Sequence, residues 1–205
     1  AANANNFIVI LKVSAVIFVV IAGAFFINVD NWNPFIPPVT QIVDKAGTHE
    51  AYGFGGIVSG AAAIFFAYVG FDAVSTQAGE AINPKKDVPF AIIVSLLVCT
   101  VLYILVSLVL TGMMNYQDFN PVGKYPEAIK APVAYAFDIA GQAWAGYIIT
   151  IAATIGLISV LMVMIMGQSR IFLGMSKDGL IPSIFSKINP LSGTPRTNLM
   201  ILGGF

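Results

Sequence analysis

Two ionisable side chains stand inside apolar stretches of this sequence: Lys12 within Phe7–Ile27, and Asp72 just after Gly70-Phe71. A charge at bilayer depth is costly, so such residues default to functional roles. Lys12 is the sixth residue of its stretch, about 8 Å from the start at a rise of about 1.5 Å per residue. From that depth its amine can snorkel to the headgroups. Alternatively it turns into the protein interior and trades a charged for a neutral amine near neutral pH. Asp72 reads as a carboxylate capping a helical half-segment, or as negative potential that favours cationic or zwitterionic ligands; the two roles can coexist. A helix break at Gly70 would free the backbone carbonyls of Phe66, Ala67 and Val69, and unwound carbonyls accept hydrogen bonds from a cation or an ammonium group. Ala152, Gly156 and Ser159 share one helical face at i, i+4 and i+7. Small residues there let helices approach closely, and Ser159 can offer a hydroxyl to a buried amine such as Lys12. Met162, Met164 and Met166 read as packing or lipid-facing side chains.

Other chemistry is missing. The sequence has no HExxH, GxSxG, P-loop or CxxC motif. No strand is expected before Gly53-Phe-Gly-Gly56, which does not read as a dinucleotide loop. The single histidine, His49, lies among polar neighbours and reads as solvated, and no metal-binding constellation or cofactor motif accompanies it. Cys99 is the one cysteine, so no internal disulfide can form.

The elements that must position Lys12 and Asp72 are membrane spans. Across 205 residues, 58% are hydrophobic and 10% charged, with a mean hydropathy of +0.86. Soluble domains hold about 45–50% apolar and about 25% charged residues. An ordinary soluble enzyme, a disordered chain and a disulfide scaffold are excluded. Ten basic residues balance ten acidic ones, leaving no excess to neutralise phosphates, which argues against a nucleic-acid partner. The expected class is an all-α, polytopic membrane protein, with residues 1–205 forming a single partial membrane domain.

Five spans are expected. The first covers 7–27, about 31 Å long and close to the hydrocarbon thickness of a bilayer. A polar, proline-rich loop follows to about Tyr52, with Trp32 as an interfacial anchor. The second covers 56–82 and is broken near Gly70: a short apolar half, a glycine with a carboxylate, then a more polar half is the pattern of a discontinuous helix. Asn83-Pro84 ends it, because the residue before proline is pushed from helical geometry. Lys85-Lys86-Asp87 reads as a short polar loop, with Asp87 capping a third span, 90–113, that has Pro89 in its first turn. Within the next loop, 131–140 suits a short helix with Pro132 in its first turn. The fourth span covers 145–170, and a truncated fifth covers 198–205. The absence of an initial Met or a signal peptide, and the stop inside an apolar run, point to an internal piece of a larger membrane protein. Six basic residues (Lys85, Lys86, Arg170, Lys177, Lys187 and Arg196) follow spans two and four, against three on the other side (Lys45, Lys124 and Lys130). The positive-inside rule puts the first group in the cytoplasm.

Phe65-Phe-Ala-Tyr-Val-Gly-Phe-Asp-Ala-Val-Ser-Thr76, with Glu80-Ala-Ile-Asn-Pro-Lys-Lys-Asp-Val-Pro89, resembles the sixth transmembrane helix of cationic amino acid transporter-type permeases of the amino acid–polyamine–organocation superfamily. Asn6–Lys12, Asn31-Trp-Asn-Pro-Phe35, Gly167-Gln-Ser-Arg-Ile-Phe172 and Lys177-Asp-Gly-Leu-Ile-Pro182 follow the same pattern in order. The resemblance spans essentially the whole chain and equates its spans with helices five to eight and the start of nine. It implies two inverted five-helix repeats, a multi-pass protein of the plasma membrane, and proton-coupled transport of amino acids by alternating access. It also implies roles for single residues. The carbonyls of Phe66, Ala67 and Val69 would hold a substrate α-ammonium, with Phe66 as an aromatic gate. Asp72 and Met164 would flank the side-chain pocket. Lys12 would stand where sodium-coupled relatives hold a cation, with Ser159 as its partner. Two departures stand out. Gly79 replaces the first of two acids that many relatives carry before Asn-Pro, and helix one, which binds the substrate carboxylate in relatives, is absent.

The residues leave alternatives in function. An amino acid exchanger or sensor without net proton coupling fits the same segments. An intramembrane enzyme would have to use Lys12 and Asp72 without a nucleophile or metal. A purely structural subunit leaves the broken helix and Lys12 unexplained.

Overall fold

The computed structural model describes residues 2–44, 47–68, 70, 81–119, 125–188 and 195–203. Helices dominate: α1 (Ala2–Ala24), α2 (Gly53–Ile64), α3 (Pro84–Met113), α4 (Pro132–Ile139), α5 (Ala143–Lys177) and α6 (Arg196–Gly203). Asn6–Ala24, Pro84–Met113 and Ala143–Lys177 are long and apolar enough to cross a membrane, while Gly53–Ile64 is a shorter apolar helix. Only 11%, 6% and 17% of the apolar windows of the three long helices are buried within the chain. Water cannot cover so much hydrocarbon, so lipid or further helices must. The chain is an all-α, multi-pass membrane protein.

Helix boundaries follow local chemistry, and in places they differ from the sequence expectation. Lys85-Lys86-Asp87 is not a loop but the first turn of α3, which starts at Pro84 rather than Phe90. Pro84 suits a helix start because its missing N–H would have no intrahelical partner there. The Asp87 carboxylate accepts a hydrogen bond from the Asn83 N–H at 3.1 Å, a capping contact made backward from inside the helix. Pro89 therefore lies inside α3, and the carbonyl it leaves unpaired falls among the charged residues of the first turns.

Two helices end in a Schellman closure. After α4, Gly141 has φ +75° and the Gln142 N–H reaches the Phe137 carbonyl at 2.8 Å. After α5, Gly179 has φ +76° and the Leu180 N–H reaches the Met175 carbonyl at 2.9 Å. That glycine closes α5 after Lys177, past the expected end at Arg170. Pro132 opens α4 at its first position.

The loop expected between Asn28 and Tyr52 contains an antiparallel ribbon, β1 (Thr40–Asp44) with β2 (Gly47–Ala51), in which Ile42 faces His49. Its preceding segment is tied to the end of α3. The Asn28 N–H and the Asn31 Nδ2 both donate to the Gly112 carbonyl, at 2.9 and 2.7 Å. Trp32 Nε1 donates to Thr111 Oγ1 at 3.1 Å. The first two bonds satisfy a carbonyl that the helix end leaves without a partner, and the third reaches a side-chain hydroxyl.

The chain divides into two compact units, Ala1–Tyr68 with Leu97–Gly156, and Val69–Leu96 with Leu157–Phe205. In the first, Val19, Phe137 and Ala145 form a buried cluster packed by Phe18, Ala22 and Val106, and the Phe18 and Phe137 rings stack at 6.4 Å. A second cluster gathers Met114, Ala128 and Ala136. Glycine permits the closest helix approaches: a Cβ built at Gly23 of α1 would overlap Val109 of α3. In the second unit, Asn198 of α6 is fully buried and donates through Nδ2 to the carbonyls of Ser169 and Phe185, at 3.1 and 2.9 Å. Phe172 and Phe185 meet edge to face at 5.7 Å, and Ser176 Oγ donates to the Pro182 carbonyl at 2.9 Å. Together these contacts fold the segment after α5 back onto that helix.

Candidate ligand and coupling site

The second apolar segment does not continue as an α-helix. It is α-helical to Ile64 and tightens to a 3₁₀ turn over Phe65–Tyr68. Gly70 then adopts φ +132°, a conformation that side-chain-bearing residues rarely take. No atom lies within 4 Å of a Cβ built there, and Gly70 is exposed. The cause is visible in composition. α2 carries Gly53, Gly55, Gly56 and Gly60, which are poor helix formers, and all but Ala67 of the residues from Ile64 to Val69 are aromatic or β-branched. Irregular backbone at membrane depth is tolerated only where it is buried in protein or lines a cavity.

The expected site residues are distributed as follows. Phe66 and Ala67 lie in the 3₁₀ turn. Val69 and Asp72 fall outside the described residues. Lys12 is half-buried on α1, and its aliphatic stem lies on α5: a Cβ built at Gly156 would meet Lys12 Cδ at 3.2 Å and Cγ at 3.4 Å. Lys12 and Gly156 belong to the same unit. The small-residue face of α5 thus receives the lysine stem at the position that lacks a side chain. Ser159, three residues further along α5, is 1% exposed. Met164 is 51% exposed.

One contact at the interruption escaped the sequence reading. The Tyr68 hydroxyl and Thr100 Oγ1 of α3 are hydrogen-bonded at 3.3 Å, and the Tyr68 ring meets Tyr103 edge to face at 5.4 Å. Tyr68 sits within the quoted helix-six motif, but nothing local points to partners more than thirty residues away. Nearer the end of α3, a cavity of about 430 Å³ lies between the Asn31–Pro37 segment, the start of α2 and the end of α3. Trp32, Phe35, Tyr52 and Tyr116 line it together with Ser107 and Thr111.

Lys12 is seated on Gly156 in the first compact unit, and Gly70 takes its positive φ in the second. The family model described as "Amino acid permease" matches residues 1–204, in line with the resemblance of the sequence motifs. The chain belongs to the amino acid permease family. Among its relatives, the branched-chain amino acid permease BcaP of Bacillus subtilis (strain 168) is 42% identical over 191 residues, covering 93% of this chain and 37% of that protein. The methylthioribose transporter of the same organism is 40% identical over 199 residues, covering 97% of this chain and 38% of that protein. The cationic amino acid transporter 9, chloroplastic, of Arabidopsis thaliana is 42% identical over 186 residues, covering 91% and 29%. The chain therefore spans well under half the length of these relatives. This permease segment is similar throughout to proteins named as transporters.

Proposed function

We propose that the full-length protein is a secondary active transporter of amino acids, proton-coupled and working by alternating access in the plasma membrane. The observation that carries this reading is the interruption between Ile64 and Gly70 within an apolar segment. The carbonyls of Phe66, Ala67 and Val69 accept hydrogen bonds from the substrate α-ammonium, and Phe66 closes over it. Asp72 and Met164 keep the side-chain pocket roles that the resemblance assigns. Relatives named for branched-chain and for cationic amino acids support an amino acid as the substrate class. The basic group of Lys85, Lys86, Arg170, Lys177, Lys187 and Arg196 faces the cytoplasm.

Lys12 carries the coupling. Its protonated amine occupies the place of a coupling cation and stabilises one conformation; loss of the proton releases that constraint and permits return. The seating of its stem on Gly156 supports an inward-directed lysine over one that snorkels along lipid. Ser159, buried on the same face of α5, keeps its coupling role. The test is uptake by the full-length protein in proteoliposomes, with and without an inward proton gradient, across the twenty amino acids and methylthioribose. The expected result is that Lys12→Ala removes the pH dependence of uptake while retaining amino acid binding. Unchanged proton dependence in that variant overturns the coupling role. Equal counterflow with and without the gradient in the unaltered protein assigns it to exchange instead.

A further inference from the structure

The interruption raises a physical problem of its own. A 3₁₀ turn has poorer hydrogen-bond geometry than an α-helix and is rarely long. Gly70 follows almost at once, with φ +132° and no atom within 4 Å of its Cβ direction. Carbonyls in such a segment cannot select a ligand unless something holds them, because a site must keep its groups within a fraction of an ångström of the productive geometry. The backbone bonds of one 3₁₀ turn supply only part of that hold. Side chains supply the rest.

Tyr68 is the last described residue before Gly70, and it is fastened at two points. Its hydroxyl pairs with Thr100 Oγ1 at 3.3 Å, and its ring packs edge to face on Tyr103 at 5.4 Å. Thr100 and Tyr103 are three residues apart on α3, so they present neighbouring positions on one helix face. Within a membrane a hydroxyl finds few other partners, which favours the pair over the separated groups. An edge-to-face contact adds directional preference to the hydrogen bond. Both contacts lie inside one compact unit, and the division of the chain falls directly after Tyr68. The 3₁₀ turn is therefore tied to an unbroken 30-residue helix at its very end. The freedom of Gly70 begins where the tie stops.

We propose that Tyr68, held by Thr100 and Tyr103, is a positioning residue that fixes the carbonyls of Phe66 and Ala67 to accept hydrogen bonds from a primary ammonium group. The inference rests on the transport reading above and deepens it. Tyr68 touches no substrate; it acts through the backbone of the two residues before it. Because the ammonium group is common to all amino acids, loosening the clamp weakens neutral and cationic substrates alike.

The test uses the full-length protein in proteoliposomes for uptake and in lipid nanodiscs for hydrogen–deuterium exchange. Tyr68→Phe and Thr100→Val each remove one side of the hydroxyl pair and leave the packing shape. Each is expected to raise the half-saturation concentration roughly 3-fold to 10-fold, the range of one neutral hydrogen bond, with little change in maximal rate. The double variant is expected to match the single ones, since one bond is lost only once. Thr100→Ser restores the hydroxyl and recovers the loss. Exchange of the amides from Phe65 to Gly70 quickens in both single variants. Unchanged half-saturation overturns the proposal, whether or not exchange quickens, and so does additivity in the double variant. If the unaltered protein moves no amino acid but exchange still quickens in Tyr68→Phe, the transport reading falls while the clamp stands.

Discussion

α2 and α3 are both apolar helices of one membrane chain, and they behave oppositely. α3 runs unbroken for 30 residues although it contains Pro89. α2 contains no proline, yet its α-helix stops after 12 residues and gives way to a 3₁₀ turn and a positive-φ glycine. The residue with the stronger reputation as a helix breaker is harmless in α3 because of where it stands. Pro89 frees a carbonyl close to Lys85, Lys86 and Asp87, at a polar end. In α2 many weak preferences act together, in a segment where lipid offers no hydrogen bonds to a loosened backbone. A break at depth is therefore a structural commitment that side chains such as Tyr68 must support.

The contrast can be broken most forcefully at Gly70. Gly70→Val puts a β-branched residue at φ +132°, which costs about 1–3 kcal/mol or forces the segment into another conformation. Uptake is expected to fall more than about tenfold, while circular dichroism stays helical. Wild-type uptake in this variant would mean that the left-handed glycine is dispensable. A second blow falls on α3. Gly112→Val introduces a Cβ that meets Ile27 at 2.9 Å and Trp32 at 3.1 Å. The expected effect is a destabilisation of about 1–3 kcal/mol, read as an earlier thermal transition in detergent, with less effect on the substrate concentration needed for half-maximal uptake. The smallest effect sharpens the comparison. Gly60 lies inside α2 with no atom within 4 Å of its Cβ direction, so Gly60→Ala is expected to stabilise the protein by about 0.5–1 kcal/mol. A loss of uptake there would show that the whole glycine-rich segment, and not Gly70 alone, needs its freedom.

Much of this arrangement can be read from residue order. Long apolar runs give the three long helices among the described residues, and Pro132 marks the start of α4. These are local signals. The helix that starts at Pro84 was harder to see, because charges beside a proline look like a loop until Asp87 is found bonded to the Asn83 N–H. The ribbon of Thr40–Asp44 with Gly47–Ala51 was missed because short polar strands carry little hydrophobic alternation. Contacts across the fold left no local trace: Trp32 to Thr111, Tyr68 to Thr100 and Lys12 against Gly156 join residues far apart in sequence. Helical periodicity states which residues share a face. It does not state which faces meet. The family motifs singled out Lys12 and not Tyr68.

Gly156 has no side chain, and the hydrocarbon arm of Lys12 occupies the space left open. An added methyl would push that arm outward by a few tenths of an ångström, and the nitrogen at its tip would swing further than the carbons near the pivot. The reach of the protein's one charge within α1 is thus metered by an uncharged residue on a different helix. Evolution or an engineer can retune it there without altering the lysine at all.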